Sequence, residues 1–303
     1  TIICRLKYLI DSNVDPTKIM ITTFNVDAAK SIENKIIDLF GYMPNITLGT
    51  IDSISKKFYY KFRIEENKGF LGVSEYSNKL LNYLNSPEGG NILNKYEYLF
   101  FDEFQDINNI QFEIVVNFYK NGSKIILIGD DAQNIYSFRG SNIEYILNLH
   151  RYIPNFTTYK LLYNYRSTPE IIDFANNSIK HNKDQIVKEM KPIKENTSIK
   201  PIIKHYNNLN SQNKEIIKHI VSLKYEKNVD FHEIAILSRN NYCLKILEED
   251  FEKYNSMNTN KINYVALISS NNQDKKPSLM IDHVALTTIH KSKGLEWKVV
   301  FIV

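Results

Sequence analysis

The sequence predicts an α/β fold built on parallel sheets, and three observations carry that prediction. Apolar, strand-like runs alternate with amphipathic helical segments every ~30–40 residues, the rhythm of βαβ units. One such run, Leu99–Phe101, ends in two adjacent carboxylates, Asp102 and Glu103, with Asp106 close behind. Ligands of parallel sheets gather where strands end at their carboxyl edge. The third observation is length, since 303 residues suffice for two ordinary domains, each with its own core.

In chain order, Ile2, Ile3, Leu6, Leu9 and Ile10 recur at helical spacing and predict an opening amphipathic helix. Asp15-Pro16 breaks the chain before a strand over Ile19–Thr23, and Ala28, Ala29, Ile32, Ile36, Ile37 and Phe40 mark a helix over Asp27–Phe40. Phe24, beside Thr23 and Asn25 at a strand end, suits either the core or a base-stacking surface. A strand over Ile46–Leu48 runs into Gly49–Ser53, read as a loop that opens another helix. Lys56–Gly90 is aromatic and charged, then turn-rich, and reads as a small helical insertion. Its composition suits a nucleic-acid strand or a solvated helix face. The acids after Leu99–Phe101 suit a hydrated Mg2+ on a nucleotide phosphate and a base that orients water. A strand followed by a solvated acidic turn fits the same residues.

Beyond Asp106, residues Ile107, Ile110, Ile114, Val115 and Phe118 follow a helix period, and a strand over Ile125–Ile128 leads into Gly129–Ser141, GDDAQNIYSFRGS. This polar loop holds Gln133, Tyr136, Phe138 and Arg139 directly after a sheet strand. A Gln amide can report on a phosphate oxygen or an attacking water, an exposed aromatic can stack a base, and Arg can pair a phosphate in a planar fork.

Hydrophobic residues at 43% and charged residues at 24% are those of a soluble globular protein rather than a disordered or membrane-embedded one. A net charge of +4 permits a polyanionic partner without demanding one. Cys4 and Cys243 lie far apart, with no metal or redox spacing, which predicts a reducing, intracellular setting, cytoplasmic or nuclear. No signal peptide and no bilayer-length apolar run is read, so no membrane partner is expected. Because the chain opens on Thr1 and stops in an apolar strand, Lys298–Val303, a fragment of a longer protein is expected.

The runs FDEFQD (Phe101–Asp106) and GDDAQNIYSFRGS (Gly129–Ser141) resemble motifs II and III of the UvrD/Rep-type superfamily 1 helicases. Ile21–Ala29 resembles motif Ia and Thr50–Ser53 sits where motif Ib belongs. Both depart from the usual forms: Val26-Asp27 replaces Asn-Lys and Ile51-Asp52 replaces Phe-His. Asp27 would tend to repel a phosphate. Leu161–Ala175, LLYNYRSTPEIIDFA, is similar to motif IV, and Val284–Trp297, VALTTIHKSKGLEW, to motif V.

The resemblance implies two RecA-like P-loop NTPase domains with helix-flanked parallel sheets. They would span 1–158, with a short insertion about 56–96, and 159–303, with the family's large accessory subdomain absent. It implies ATP between the domains, single-stranded DNA or single/double-strand junctions across them, 3′-to-5′ translocation, and accessory repair or replication proteins as partners. Asp102 would hold Mg2+, Glu103 would act as base, Gln133 would sense the γ-phosphate and Arg166 would stabilise its charge. A surface Arg capping a helix beside Ser167 is the other reading of Arg166. Tyr165 would pack on adenine, Gly294 would approach phosphate and Glu296 would hold the ribose. Thr23, Phe24, Thr50, Tyr136, Phe138, Arg139, Thr287, Thr288 and His290 would meet DNA.

A Walker A loop and motif VI are not found within the sequence, whose first glycine is Gly41. The polypeptide as given is therefore expected to hydrolyse ATP negligibly, with the parent as the enzyme. Two alternatives stand beside a helicase: a binding remnant without motor activity, and the motor module of a larger helicase–nuclease. Lys180–Lys227, with eleven lysines against five acidic residues, reads mostly as solvated surface. Phe231–Arg239 reads as a strand, Leu244, Leu247 and Phe251 as a helix, and Asn255–Lys276 as a polar loop.

Overall fold

A computed structural model describes residues 1–65, 71–267 and 282–303. Its contacts divide the chain into two units, Thr1–Pro201 and Ile202–Val303.

The first unit is a doubly wound sheet. Strands β1 (Ile19–Thr23), β2 (Thr47–Thr50), β3 (Tyr98–Phe101) and β4 (Lys124–Leu127) stand in the order β2-β1-β3-β4, every pair parallel. All residues of β1 and β3 are buried, as expected of central strands covered on both faces. Successive side chains feed opposite cores. Ile19, Ile21 and Phe100 join Leu6, Leu9 and Ile36 beneath α1 (Ile2–Asp11) and α2 (Val26–Phe40). Met20, Leu99 and Phe101 join Phe58, Leu80, Phe112 and Phe118 from α3 (Ile51–Lys61), α4 (Val73–Leu84) and α6 (Asn109–Lys120) on the other face. Two short helices, α5 (Gly90–Leu93) and α7 (Glu144–Leu147), complete this part.

Two expectations are corrected here. The second strand does not give way to a loop at Gly49: its pairing with β1 continues to Thr23↔Thr50, and Thr50 Oγ1 accepts the Ser53 N–H at 3.1 Å to start α3 directly. The insertion is helical as expected, its residues 66–70 lying outside the described residues. Its α3 and α4 are nonetheless part of the main core, through Ile54, Phe58, Leu80 and Leu84, with only their outer faces solvated.

Residues 159–201 cluster with this first unit, so the expected division at 158/159 falls inside it. They form α8 (Pro169–Ile179) and a parallel pair, β5 (Tyr163–Asn164) and β6 (Lys191–Pro192). Lys188 ties them to the loop after β4 by ion pairs to Asp130, at 2.8 Å, and to Asp131.

The second unit carries a parallel sheet ordered β10-β7-β9-β8, from β7 (Ile234–Ser238), β8 (Tyr264–Ala266), β9 (Val284–Thr288) and β10 (Val299–Ile302). Helices α9 (Leu209–Tyr225) and α10 (Asn241–Met257) contribute Ile216, Ile220, Leu244, Leu247 and Phe251 to its core, and α11 (Ile289–Ser292) follows β9. The basic stretch read as surface therefore holds a packed helix. The stretch read as a loop from Asn255 begins in α10 and includes β8, because Asn255 clamps the backbone of buried Ile262 from both sides, at 2.8 and 2.9 Å. Its residues 268–276 lie outside the described residues. Among the described residues, no helix is long and apolar enough to cross a membrane.

Candidate functional site

The site of the first unit forms at the carboxyl ends of β1, β3 and β4. The β1–β3 ladder continues one residue past β3, where Asp102 N donates to Thr22 O at 2.9 Å. Asp102 is half-buried, and burial, then the neighbouring Glu103 charge, push its carboxyl above the usual aspartate value. The Glu103 N–H and Lys35 pull more weakly the other way. Glu103 itself sits in the left-handed region, φ 55°, ψ 43°, which a non-glycine residue adopts at a cost of roughly 1 kcal/mol or more. The tight turn Phe104–Asp106 that follows is anchored by buried Phe104, whose N–H donates to Ile128 O at 2.9 Å.

Gln105, wholly buried, joins this turn to the loop after β4. Its Nε2 donates to Glu103 Oε2 at 2.5 Å, and its Oε1 accepts the Asp130 N–H at 3.0 Å. Asn134 Nδ2 donates to the Gln105 carbonyl. Asp130 in turn accepts from Ala132 N at 3.1 Å and from Gln133 Nε2 at 2.8 Å. Sequence reasoning missed Gln105, Asp130 and Lys188. Gln105 stood inside FDEFQD, but only its burial distinguishes it.

Four of the side chains expected to meet nucleic acid form one cluster. Phe24, half-buried at the end of β1, stacks on Tyr136 with centroids 4.8 Å apart and planes at 26°. Tyr136 meets Phe138 at 6.1 Å, and the Arg139 guanidinium lies 5.5 Å from the Tyr136 ring and 5.7 Å from that of Phe138. Exposure separates their roles: Tyr136 is 8% exposed and Phe138 65%. Phe138 is the ring presented to solvent, while Tyr136 is its floor rather than a free stacking face.

Several expectations are revised by what the side chains touch. Thr23 is 2% exposed and its hydroxyl donates to Asn25 O at 2.9 Å, so it orders the β1–α2 turn instead of facing a strand. The Thr50 hydroxyl caps α3. The motif Ia and Ib departures have structural uses as well. Asp27 lies in the first turn of α2, where a negative charge suits the helix dipole, and Asp52 Oδ1 accepts from Ser77 Oγ at 2.7 Å, joining α3 to α4.

Tyr165 and Arg166 are exposed on a turn held by Asn164 Oδ1, which accepts the Arg166 and Ser167 N–H groups at 2.9 Å each. In the second unit, Thr288 ends β9, and His290, Gly294 and Glu296 follow it in the chain. Thr288 Oγ1 accepts the Lys291 N–H at 3.3 Å to start α11, and Gly294 has φ +85°, a conformation natural to glycine. Thr287 is fully buried, so its hydroxyl does not reach a DNA backbone.

The family model described as the UvrD/REP helicase N-terminal domain matches residues 60–154, and that of the UvrD-like helicase C-terminal domain matches residues 159–267 and 250–303. The chain is 36% identical to the ATP-dependent DNA helicase Rep of Buchnera aphidicola subsp. Acyrthosiphon pisum (strain APS), over 53% of this chain and 25% of that protein. It is 34% identical to the ATP-dependent DNA helicase PcrA of Leuconostoc citreum, over 53% of this chain and 21% of that protein. The R568 protein of Acanthamoeba polyphaga mimivirus is 30% identical over 100% of this chain and 44% of its own length. The chain thus spans less than half the length of each of these relatives. Matched in both the N-terminal and the C-terminal domain, with two helix-flanked parallel α/β units, the chain belongs to the UvrD-like helicase family.

Proposed function

We propose that the protein carrying this chain is an ATP-dependent DNA helicase or translocase that moves on single-stranded DNA, 3′-to-5′ as its family resemblance suggests. One observation carries the reading: the acid pair Asp102–Glu103 and the Phe24–Tyr136–Phe138 cluster leave adjacent strand ends of one sheet. Phosphate chemistry and base stacking are then mechanically close.

Asp102 fits a Mg2+ seat, because a carboxylate pushed toward protonation by burial and a neighbouring acid is relieved by a cation. Mg2+ is ordinarily held by one or two carboxylates together with nucleotide phosphates. Bound there, the metal supplies charge neutralisation on the phosphates. Glu103 takes the proton of the attacking water, its carboxylate held by the Gln105 amide. Gln133 reads the terminal phosphate, and Arg166, exposed on its turn, stabilises the charge that develops there. Tyr165 offers a face to adenine, and in the second unit Gly294 suits phosphate and Glu296 suits ribose. Phe138 stacks a base with Arg139 beside it, while Thr288 and His290 approach the DNA backbone.

The second reading, a strand-binding remnant without turnover, is favoured by the acids at positions 27 and 52, where the family carries groups that suit DNA. Single-strand-stimulated ATPase of the full-length protein separates the two. Strong stimulation, lost in Glu103→Gln, is expected. No turnover with intact strand binding in both proteins would leave the remnant.

A further inference from the structure

We propose that Gln105 is a positioning residue through which strand binding at the Phe138–Arg139 loop controls Glu103, an inference that rests on the function proposed above. The argument begins with the amide itself. A Gln side chain offers a carbonyl that accepts and an NH2 that donates, and its neighbours decide which end lies where. Here Oε1 accepts a backbone N–H, that of Asp130, at 3.0 Å, and a backbone N–H has no alternative role. The amide is therefore locked, and Nε2 must face Glu103 Oε2, which it does at 2.5 Å. A donor aimed at one carboxylate oxygen fixes the orientation of the Glu103 carboxylate.

The other end of the link is the loop that carries the exposed stacking ring. Asp130 N belongs to the backbone that turns into Asp131–Gln133 and then into Tyr136–Arg139, and Asn134 fastens the same loop to the Gln105 carbonyl. A base arriving on Phe138 loads this loop, and the loop's hydrogen bonds to Gln105 carry the displacement to the β3 side. Gly129 makes the contact possible, since a Cβ at that position would lie 2.8 Å from Gln105 Oε1 and 3.2 Å from Gln105 N. The turn and the loop thus approach so closely that a side chain at position 129 must push the Gln105 amide aside.

The test is the ratio of strand-stimulated to basal ATPase in the full-length protein, measured with oligo(dT) in wild type, Gln105→Leu and Gly129→Ala. Leu fills the space without the hydrogen bonds, and Ala displaces the amide while leaving it intact. Both variants are expected to lose about tenfold in that ratio, within the range of ordinary coupling between sites, while KM for ATP and Kd for oligo(dT) stay within about twofold. Hydrogen exchange at the Asp130 amide should quicken in Gln105→Leu, a readout that does not depend on turnover. An unchanged ratio in a folded variant, or equal loss of basal and stimulated rates, would overturn the proposal while leaving the helicase reading intact. Absence of any stimulation in the wild type would instead overturn both.

Discussion

Replacing Lys188 with Met should destabilise the first unit by about 2–3 kcal/mol, although Lys188 lies in a stretch that looks like ordinary basic surface. Its Nζ meets Asp130 Oδ1 at 2.8 Å and also Asp131, whose side chain is only 2% exposed against 34% for Asp130. The Asp130 pair, near the surface, contributes little. The Asp131 pair dominates, because removing the ammonium leaves a buried carboxylate to which the Ile186 N–H still donates, at 2.9 Å. A full buried-pair loss is ~3–5 kcal/mol, reduced here by that N–H and by the partial exposure of Lys188. For a unit of this size the expected fall in melting temperature is roughly 5–10 °C, read by calorimetry.

The pH dependence of Lys188→Met checks the same physics. Burial raises the Asp130 carboxyl, but Lys188 and Gln133 outweigh it and hold it below the ordinary 3.8. Burial lowers the Lys188 ammonium, but the two aspartates outweigh that and hold it above the ordinary 10.5. A depressed acid stabilises above its unfolded value and loses that contribution as pH falls through its folded one. A raised base stabilises below its unfolded value and loses it as pH rises through its folded one. The difference between wild type and Lys188→Met should therefore be level between about pH 4 and 10 and shrink outside that window. A melting shift under about 2 °C, or full additivity with Asp131→Asn, would refute the reasoning.

Three further outcomes are expected. Phe138→Ala, removing the exposed ring of the aromatic cluster, should weaken oligo(dT) binding by about 1–3 kcal/mol, read as Kd by fluorescence anisotropy, with little change in melting temperature. Asp102→Asn should raise the melting temperature of the nucleotide-free protein by about 2 °C or more while abolishing Mg2+-dependent turnover. The sign follows from its carboxyl being held above the ordinary 3.8, so that ionisation near neutral pH costs folding stability. Phe112→Ala, at a fully buried ring stacked on Tyr145 at 3.9 Å, should cost about 3–5 kcal/mol in denaturant melts.

The four strands of the first sheet and several helices were legible because their signals are local: the five residues of β1 and the periodicities of α1, α2, α6 and α10 need no partner to be read, whereas β5, β6 and β8 were not read as strands. The acid pair and the loop after β4 were legible as long motifs. What escaped depends on contacts distant in sequence. Helix α9 hides its apolar positions Ile216, Ile217 and Ile220 among lysines, and Lys188 owes its role to aspartates 57 and 58 residues away. Asparagine supplies side-chain caps at Asn25, Asn108, Asn208 and Asn240, a role that depends on where each helix starts. Tyr136 and Phe138 look alike in sequence, and only the stacking of Phe24 on one of them shows which ring is covered.

The sheet order has a consequence for how such a chain tolerates change. Strands β1 and β3 are immediate neighbours, with Thr22 paired to Phe101, yet the chain between them runs through α2, β2 and the α3–α4 insertion. The spacing of Phe24 and Asp102 is set by backbone hydrogen bonds across two strands, not by the length of what intervenes. Residues can be added to or trimmed from the excursion between α3 and α4 without altering that spacing. Chains of quite different length can therefore keep the same distance between grip and chemistry, and variation in size is free to accumulate where the fold does not measure it.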